Sequence, residues 1–294
     1  MTSRRKFIKT SSLMAAGAMI APMACSSKKQ GEQSAETVKA AAPEIMPKEM
    51  GVQAYSVRDA LKEDFAGSMK KIADIGYKFI EGYGLGLDGQ LYGMAPSEYS
   101  KIVSDLGMEL VSCHSSYFTA DQAPKVIEAS QEAGLKHLVI PYLGDELRGD
   151  YRKVAENLNQ VGELFKGTGV TFGYHNHAFE FEKSNGEIPL EIMLENTDPE
   201  LVSFEADLYW VKKGGYEPLD LINKYPGRFS LFHVKDANAN LDQTTVGEGI
   251  IDFQSIFNQK DKAGLEYYFV EDERTDDPFG NLTKAYKHIN TLTI

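Results

Sequence analysis

The stretch VTFGYHNHAFEFEKSNGEIPLEIMLENTDPELVSFEAD, residues 170–207, holds one complete strand–helix–strand unit. Its ends, 170–175 and 202–207, are rich in aromatic and β-branched residues and are typical of strands, whereas 190–196 is typical of a helix. Two strands joined through a helix favour a parallel pair in one sheet. Both strands run into polar residues, so polar side chains are expected at one common edge of that sheet.

The same alternation continues from about residue 50 to the C-terminus. We predict strands at 51–57, 78–83, 109–114, 137–142, 170–175, 202–207, 229–234 and 267–271. We predict helices at 65–75, 96–106, 122–133, 151–166, 190–196, 218–224, 253–263 and 282–292. Eight strand–helix units in a chain of this length favour an α/β protein with a closed (β/α)₈ TIM barrel.

An open, doubly wound parallel sheet is the structural alternative. That fold carries a glycine-rich phosphate-binding turn after its first strand. This chain has Val57-Arg58-Asp59-Ala60 at that place. The closed barrel is therefore the preferred prediction.

The composition restricts the kinds of partner. The chain has 294 residues, of which 42% are apolar, and this is enough to bury a sizeable core. There are 31 basic and 43 acidic residues, which gives a formal net charge of −12. A broad basic surface for nucleic acid or anionic membrane is therefore disfavoured. With two cysteines, Cys25 and Cys113, no disulfide framework is expected.

The N-terminus has the features of an export signal. The run SRRKFIK at residues 3–9 has the form of a twin-arginine signal, and the apolar segment 13–24 that follows is too short for a stable membrane span. The residues before Cys25 resemble a bacterial lipoprotein cleavage box. We expect a periplasmic protein exported by the twin-arginine route and attached to the membrane only through a lipid on Cys25. Ordinary cleavage, which would release a free periplasmic protein, is the alternative.

The chain is accordingly divided into three parts. Residues 1–25 are expected to be the signal peptide. Residues 26–47, rich in Ser, Lys, Gln, Glu and Ala, are expected to be a flexible linker. Residues 48–294 are expected to form the catalytic barrel.

Four polar clusters stand at the ends of four consecutive predicted strands. Because the C-terminal strand ends of such a barrel meet at one mouth, and residues two apart share a strand face, we expect these clusters to converge. His, Asp and Glu together suit a divalent ion such as Mn, Fe, Co or Zn, which polarises a carbonyl so that a base removes the neighbouring proton. The ordinary alternative is hydrogen-bonded core histidines and solvated carboxylates. The clusters are Tyr174-His175-Asn176-His177, Glu205-Ala206-Asp207, His233-Val234-Lys235-Asp236 and Glu271-Asp272-Glu273.

Further residues are candidate substrate contacts. His114 ends the third predicted strand, and His177 shares a strand face with His175. Trp210 follows the sixth strand, where its ring either stacks on a sugar or packs under a loop. Glu248 lies in a loop with two glycines that either approach a ligand or simply form a turn. Arg274 is a candidate for binding an anion.

At these residues the chain resembles the sugar phosphate isomerase/epimerase family of xylose isomerase-like barrels, which includes inosose dehydratase and hydroxypyruvate isomerase. The resemblance extends over residues 50–294. Its motifs are quite specific for the family and weak for a substrate. They are GYHNHAFEF at 173–181, DLYW at 207–210, HVKDA at 233–237, GEGIID at 247–252 and Val270-Glu271.

The resemblance implies a metal site and roles for individual residues. The family's ion is commonly held by Glu, Asp, His and Glu from strands five to eight, and Asp207, His233 and Glu271 match the last three. At the strand-five position this chain has His175 instead of Glu. The resemblance implies Glu271 as base, His175 as fourth ligand or acid, and Lys235 as a stabiliser of oxyanion charge. The histidine weakens a two-base epimerisation and gives weight to elimination or to isomerisation with one dominant base.

The expected function is an exported, metal-dependent sugar isomerase or epimerase that removes a proton next to a carbonyl. Sugar phosphates are cytoplasmic, so the expected partner is a small, non-phosphorylated carbohydrate. A keto-glycoside lyase or an inosose-type dehydratase on the same metal site is the first alternative, and a non-catalytic sugar-binding lipoprotein is the second. The charge and the export signal oppose the related DNA-repair endonucleases, so no nucleic-acid partner is expected. An oligomer is compatible with the sequence.

Overall fold

A computed structural model describes residues 49–294. In this part of the chain eight parallel strands close into a barrel in which the first strand pairs with the last. The strands are β1 (Gly51–Gln53), β2 (Phe79–Leu85), β3 (Glu109–Ser115), β4 (His137–Ile140), β5 (Thr171–His175), β6 (Ser203–Asp207), β7 (Phe229–Val234) and β8 (Tyr267–Val270). The predicted TIM barrel is confirmed and the open sheet is excluded. The predicted signal peptide, its Cys25 and the linker lie outside the described residues.

Helices surround the barrel. They are α1 (Arg58–Glu63), α2 (Phe65–Ile75), α3 (Pro96–Asp105), α4 (Ala123–Glu132), α5 (Tyr151–Phe165), α6 (Pro189–Asn196), α7 (Leu208–Lys213), α8 (Pro218–Lys224), α9 (Phe253–Phe257), α10 (Lys260–Ala263) and α11 (Pro278–Thr291). Several begin at a proline, which fits the first helical turn because its missing N–H has no partner there. Within residues 49–294 no helix is long and apolar enough to cross a membrane.

Helix α5 shows how the sequence specifies these elements. The Asp150 side chain accepts a hydrogen bond from the backbone N–H of Lys153 at 3.1 Å and so caps the first turn. Val154, Leu158 and Val161 follow at helical spacing and are buried against the barrel. A capped N-terminus and one apolar stripe are sufficient to define this helix.

Two predicted strands are shorter in the structure. Strand β1 ends at Gln53 rather than at residue 57, because the Gln53 side chain accepts from the backbone N–H of Tyr55 and the chain turns into a 3₁₀ helix, Ala54–Val57. Strand β4 ends at Ile140 rather than at residue 142, because Pro141 has no N–H to donate to a ladder.

Four parts of the helical layer also differ from the prediction, and the first of them is α1 (Arg58–Glu63), which was not predicted. The predicted helix 253–263 is divided into α9 and α10. Helix α11 starts at Pro278, four residues early, because Asp277 caps it by accepting from the N–H of Gly280. Helix α7 was not predicted, and its cap is Asp207, which accepts from the N–H of Trp210 at 2.8 Å. The end of β6 is thereby fixed at the residue expected to bind metal.

The interior of the barrel is apolar deep inside and polar towards the mouth. Val111, Val139, Leu231 and Phe269 form a buried cluster separate from the main core between strands and helices. Leu231 and Phe269 precede His233 and Glu271 by two residues, so each pair shares the inner face of its strand. The polar residues therefore lie one layer nearer the mouth.

Candidate metal centre

Four polar side chains meet at the C-terminal ends of β5 to β8. His175 ends β5, Asp207 ends β6, His233 lies in β7 and Glu271 directly follows β8. Asp207 Oδ2 lies 3.8 Å from His175 Nε2 and 3.8 Å from His233 Nδ1, and His233 Nδ1 lies 2.9 Å from Glu271 Oε2. All four side chains are buried. We call His175, Asp207, His233 and Glu271 the outer set.

The outer set fits a divalent cation. Asp207 Oδ2 and His233 Nδ1 are buried and, among residues 49–294, make no hydrogen bond, although Glu271 Oε2 lies within 3 Å of that nitrogen. Unpartnered buried polar atoms are costly unless something binds them. Asp207, His233 and Glu271 offer ligand atoms that all lie within 4.8 Å of one another. Mixed nitrogen and carboxylate ligands are those expected for zinc, manganese, iron or cobalt.

Lys235 lies against the outer set. Its Nζ is 3.2 Å from Asp207 Oδ2, 2.9 Å from Glu271 Oε2 and 2.6 Å from Glu273 Oε1. Burial alone would lower the pKa of Lys235, but these three carboxylates raise it well above its usual value. Lys235 is therefore a fixed positive charge, although its side chain is not part of the cavity wall described below.

The electrostatics prepare Asp207, Glu271 and His175 to bind a cation. Burial would lower the pKa of His233, but Glu205, Glu271 and Glu81 raise it well above its usual value, so a cation would have to displace a proton from that ring. Burial would raise the pKa values of Asp207 and Glu271, but Lys235 and His233 bring both below their usual range, so both carboxylates are ionised. Burial and the neighbouring His233 lower the pKa of His175 to about 4, so its imidazole is neutral near pH 7. A neutral imidazole and ionised carboxylates are the states in which these groups bind metals.

A second polar group lies directly beneath, and we call Glu81, His114 and Glu205 the inner set. His114 Nε2 lies 2.8 Å from Glu205 Oε2 and 3.4 Å from Glu81 Oε2. Burial and the neighbouring Glu205 raise the pKa of Glu81. Burial would also raise the pKa of Glu205, but His233 and the hydrogen bonds from the surrounding histidines bring it well below its usual value.

The sequence analysis missed the inner set as a unit. Glu81 was not identified, although a single carboxylate within the apolar strand β2 is a signal in itself. Glu205 was recognised only as sharing a strand face with Asp207, and an acidic residue at such a strand end was expected to be solvated unless a metal site formed. The structure buries it completely.

A cavity of about 760 Å³ opens above the outer set. Its wall includes His114, His175, His177, Glu271 and Glu273. Four tyrosine rings also line it, namely Tyr55, Tyr83, Tyr117 and Tyr142. Among the described residues of this wall there is no lysine or arginine.

The predicted substrate contacts divide into two groups. His114 and His177 line the cavity, whereas Trp210, Glu248 and Arg274 are not part of its wall. Trp210 packs beside His177 with ring centroids 5.3 Å apart. Glu248 is half exposed and paired with Lys284 at 3.0 Å. Arg274 is held by Asp272 at 2.6 Å and also donates to Thr245.

The glycine loop after β7 is organised by Asp236. The carboxylate of Asp236 accepts hydrogen bonds from the N–H groups of Gly247, Gly249 and Ile251 at 3.0–3.1 Å. A Cβ on Gly249 would overlap this carboxylate. The structure therefore favours the turn interpretation of the two glycines, because their amides already have a partner.

Comparisons of the sequence and of the fold with known proteins point to the same kind of barrel. A family model described as "Xylose isomerase-like TIM barrel" matches residues 69–291. The inosose dehydratase of Geobacillus thermodenitrificans (strain NG80-2) is 24% identical over 243 residues, which cover 66% of this chain and 81% of that protein. A sugar phosphate isomerase/epimerase from Parabacteroides distasonis ATCC 8503 is 29% identical with a TM-score of 0.75, covering 86% of this chain and 97% of that one.

A more distant structure is that of the IOLI protein, which was solved with a zinc atom. It is 14% identical to this chain with a TM-score of 0.62, and the match covers 82% of this chain and 96% of that one. At this identity the likeness shows a shared fold alone.

Proposed function

Because this chain belongs to the family of xylose isomerase-like TIM barrels, we propose that it is a metal-dependent enzyme that removes a proton next to the carbonyl of a sugar. The observation that carries the proposal is the outer set, in which Asp207, His233 and Glu271 offer buried ligand atoms within 4.8 Å of one another and His175 Nε2 lies 3.8 Å from Asp207 Oδ2. The similar proteins named above are sugar-type enzymes, which supports enzyme chemistry on a carbohydrate.

The outer set would hold the cation, which supplies polarisation of the substrate carbonyl and thereby acidifies the neighbouring C–H. Glu271 is ionised and reaches the cavity, so it is our candidate base. Lys235 Nζ lies 2.9 Å from Glu271 Oε2 and carries a permanent positive charge. Although Lys235 does not line the cavity, its charge would stabilise negative charge that develops on the substrate oxygen. His177 lines the cavity, and burial together with His175 lowers its pKa to about 2, so it acts as a neutral hydrogen-bonding group.

The cavity wall favours a neutral sugar. A phosphate group would require a cationic side chain or a cluster of free backbone N–H groups. No lysine or arginine is among the described residues that line the cavity, and the glycine loop nearby has its amides bound to Asp236. Tyrosine rings such as Tyr142, which is 49% exposed, present flat apolar faces on which the C–H face of a sugar can stack.

Dehydration is the second candidate, and one observation favours it. Glu271 and Glu273 follow the same strand, and both line the cavity and contact Lys235. Burial raises the pKa of Glu273, whereas that of Glu271 is lowered. Of the two, Glu273 is therefore the better proton donor and Glu271 the better base. A base and a proton donor on one side of the substrate suit elimination of water, whereas epimerisation needs groups on opposite sides. The inosose dehydratase relatives support the same reading.

We also propose that the enzyme acts outside the cytoplasm. The support is the sequence SRRKFIK at residues 3–9 and the lipoprotein-like residues before Cys25. Fractionation of the producing bacterium, with mass spectrometry of the mature N-terminus, tests this. A protein that retains residues 1–24 in the cytosolic fraction would contradict export.

The activity is tested by incubating metal-loaded protein with inosose and with keto-sugars in D₂O. Deuterium at the carbon next to the carbonyl is expected, with either a stereoisomer or tautomer as product or a product that has lost water. The variant Glu271→Gln should be inactive. Glu266→Gln, which alters a carboxylate paired with His137 at the N-terminal end of β8, should be active. With verified metal occupancy, the absence of both deuterium uptake and any isomerised or dehydrated product would refute the proposal and favour a sugar-binding protein.

A further inference from the structure

The two histidines of the outer set each turn their second ring nitrogen towards a buried carboxylate. His175 Nδ1 lies 3.2 Å from Glu205 Oε2, while its Nε2 faces Asp207. His233 Nε2 lies 2.5 Å from Glu81 Oε2 and 3.2 Å from Glu205 Oε1, while its Nδ1 faces Asp207 and Glu271. The two rings therefore present opposite nitrogens to the outer set.

Glu81 is fixed as a hydrogen-bond acceptor. The Gln53 amide donates to Glu81 Oε2 at 2.8 Å, and the Ser112 hydroxyl donates to Glu81 Oε1 at 2.6 Å. Gln53, Glu81 and Ser112 are register partners on β1, β2 and β3, and all three are completely buried. With both oxygens occupied by donors, Glu81 can only receive the proton of His233 Nε2.

Glu205 is held through one oxygen, Oε2, whereas its Oε1 makes no hydrogen bond among the described residues and lies 3.2 Å from His233 Nε2. His114 Nε2 lies 2.8 Å from the same Oε2 atom that faces His175. Glu205 precedes Asp207 by two residues on β6, so both side chains face the interior, with Glu205 one layer deeper. His114 also lies against the outer set directly, because its ring stacks on that of His233 with the centroids 5.3 Å apart.

We propose that Glu81 and Glu205 are positioning residues that select which nitrogen of each histidine binds the cation. Glu81 holds a proton on Nε2 of His233, which leaves Nδ1 free, and Glu205 holds a proton on Nδ1 of His175, which leaves Nε2 free. A neutral imidazole has one donor and one acceptor nitrogen, so fixing the donor also fixes the acceptor. This inference rests on the metal-dependent function proposed above and assigns the carboxylates that orient its ligands.

The competing interpretation is a second cation within the inner set. His114, His175, Glu205 and His233 also offer ligand atoms within 4.8 Å of one another. The nitrogens that face inwards lie within hydrogen-bond distance of carboxylates. Among the described residues, His233 Nδ1 and Asp207 Oδ2 make no hydrogen bond, and each faces a charged neighbour, Glu271 Oε2 at 2.9 Å and Lys235 Nζ at 3.2 Å. A single cation in the outer set would bind Asp207 Oδ2 and His233 Nδ1 and leave the inner hydrogen bonds intact, although it would not reach Glu205 Oε1, which also makes no hydrogen bond among the described residues.

The first experiment measures zinc affinity by chelator competition and zinc content by elemental analysis. Wild type should bind one ion per chain. Glu81→Gln and Glu205→Gln should each weaken zinc binding by about 10- to 100-fold. The matched control is Glu266→Gln, because Glu266 also hydrogen-bonds a buried histidine, His137, at 3.2 Å, but at the opposite end of the barrel. Its zinc affinity should equal that of wild type.

The second experiment needs no variant and so does not depend on whether Glu81→Gln folds. Long-range ¹H–¹⁵N spectra of the zinc-loaded wild type should show a proton on Nε2 of His233 and on Nδ1 of His175. The reverse pattern, two ions per chain, or unchanged affinity in both folded variants would overturn the inference. Neither experiment measures turnover, so an inactive protein with the expected zinc affinities refutes the proposed reaction and supports the positioning roles. A wild type that binds no zinc contradicts both.

Discussion

Glu180 provides the sharpest prediction about stability. It lies in the 3₁₀ turn Phe179–Phe181 that follows β5 and is completely buried. Its carboxyl group accepts hydrogen bonds from the Tyr174 hydroxyl at 2.5 Å and from the backbone N–H of His177 at 2.8 Å. Burial outweighs these bonds and raises the pKa of Glu180 to about 7. The folded protein therefore binds a proton at Glu180 more tightly than the unfolded chain does.

The raised pKa of Glu180 determines the sign and the size of the change in stability with pH. In the unfolded chain the group titrates near 4.5, so between pH 4.5 and 7 the folded state binds the extra proton and stability falls as the pH rises. At about 1.4 kcal/mol per pKa unit, the full loss is about 3 kcal/mol. Glu180→Gln keeps an oxygen for the N–H of His177 and an amide for the Tyr174 hydroxyl, and it cannot ionise. The variant should therefore gain about 3 kcal/mol relative to wild type as the pH rises from 4.5 to 8.

Thermal unfolding of both proteins at several pH values measures the difference. For a domain of this size the gain corresponds to a relative increase in Tm of roughly 6–12 °C. Glu187→Gln is the control, because the hydrogen bond and charge of Arg152 lower the pKa of this exposed carboxylate. Its stabilising contribution is lost only as the pH falls below about 4.5, so the difference between Glu187→Gln and wild type should stay nearly constant from pH 5 to pH 8. A constant difference between Glu180→Gln and wild type from pH 5 to pH 8 would refute the reasoning.

Three further predictions concern the site and its support. Glu271→Gln should lower kcat by about 10²- to 10⁴-fold, measured as deuterium exchange with the metal content verified, and an active variant would exclude Glu271 as the base. His175→Ala should lose metal by elemental analysis, whereas full occupancy would remove His175 from the ligands. Gly247→Ala should lower the free energy of unfolding by about 1–3 kcal/mol, because the residue has φ +92° and a Cβ would overlap the His288 ring. Denaturant unfolding checks this, and wild-type stability would contradict the positive-φ argument.

The sequence was sufficient for the parts of the fold that depend on repetition. Alternating strands and helices specify the barrel, and the ends of β5 to β8 were placed within about one residue because polar residues interrupt each apolar run there. The convergence of Asp207, His233 and Glu271 followed from that topology together with strand periodicity. These are local patterns combined with one general property of parallel barrels.

The rest depended on contacts that no local pattern encodes. Glu248 lies beside two glycines, but its partner Lys284 is 36 residues away on α11. Arg274 is a reasonable anion-binding candidate from the sequence alone. In the structure its guanidinium is hydrogen-bonded to the neighbouring Asp272. The partners of Glu81 come from β1, β3 and β7, so its role is visible only when the barrel is closed. Long-range partners of single polar residues are what the sequence alone does not specify.

The histidine at the end of β5, His175, is matched to the carboxylate beneath it, Glu205. His175 Nδ1 lies 3.2 Å from Glu205, so a glutamate at position 175 would place two buried carboxylates together with no proton between them. Lys235 cannot compensate, because it is already shared by Asp207, Glu271 and Glu273. A neutral imidazole instead adds a ligand for the cation and a donor for Glu205. His175 and Glu205 therefore form a matched pair, and the mechanism of this chain should be derived from that pair.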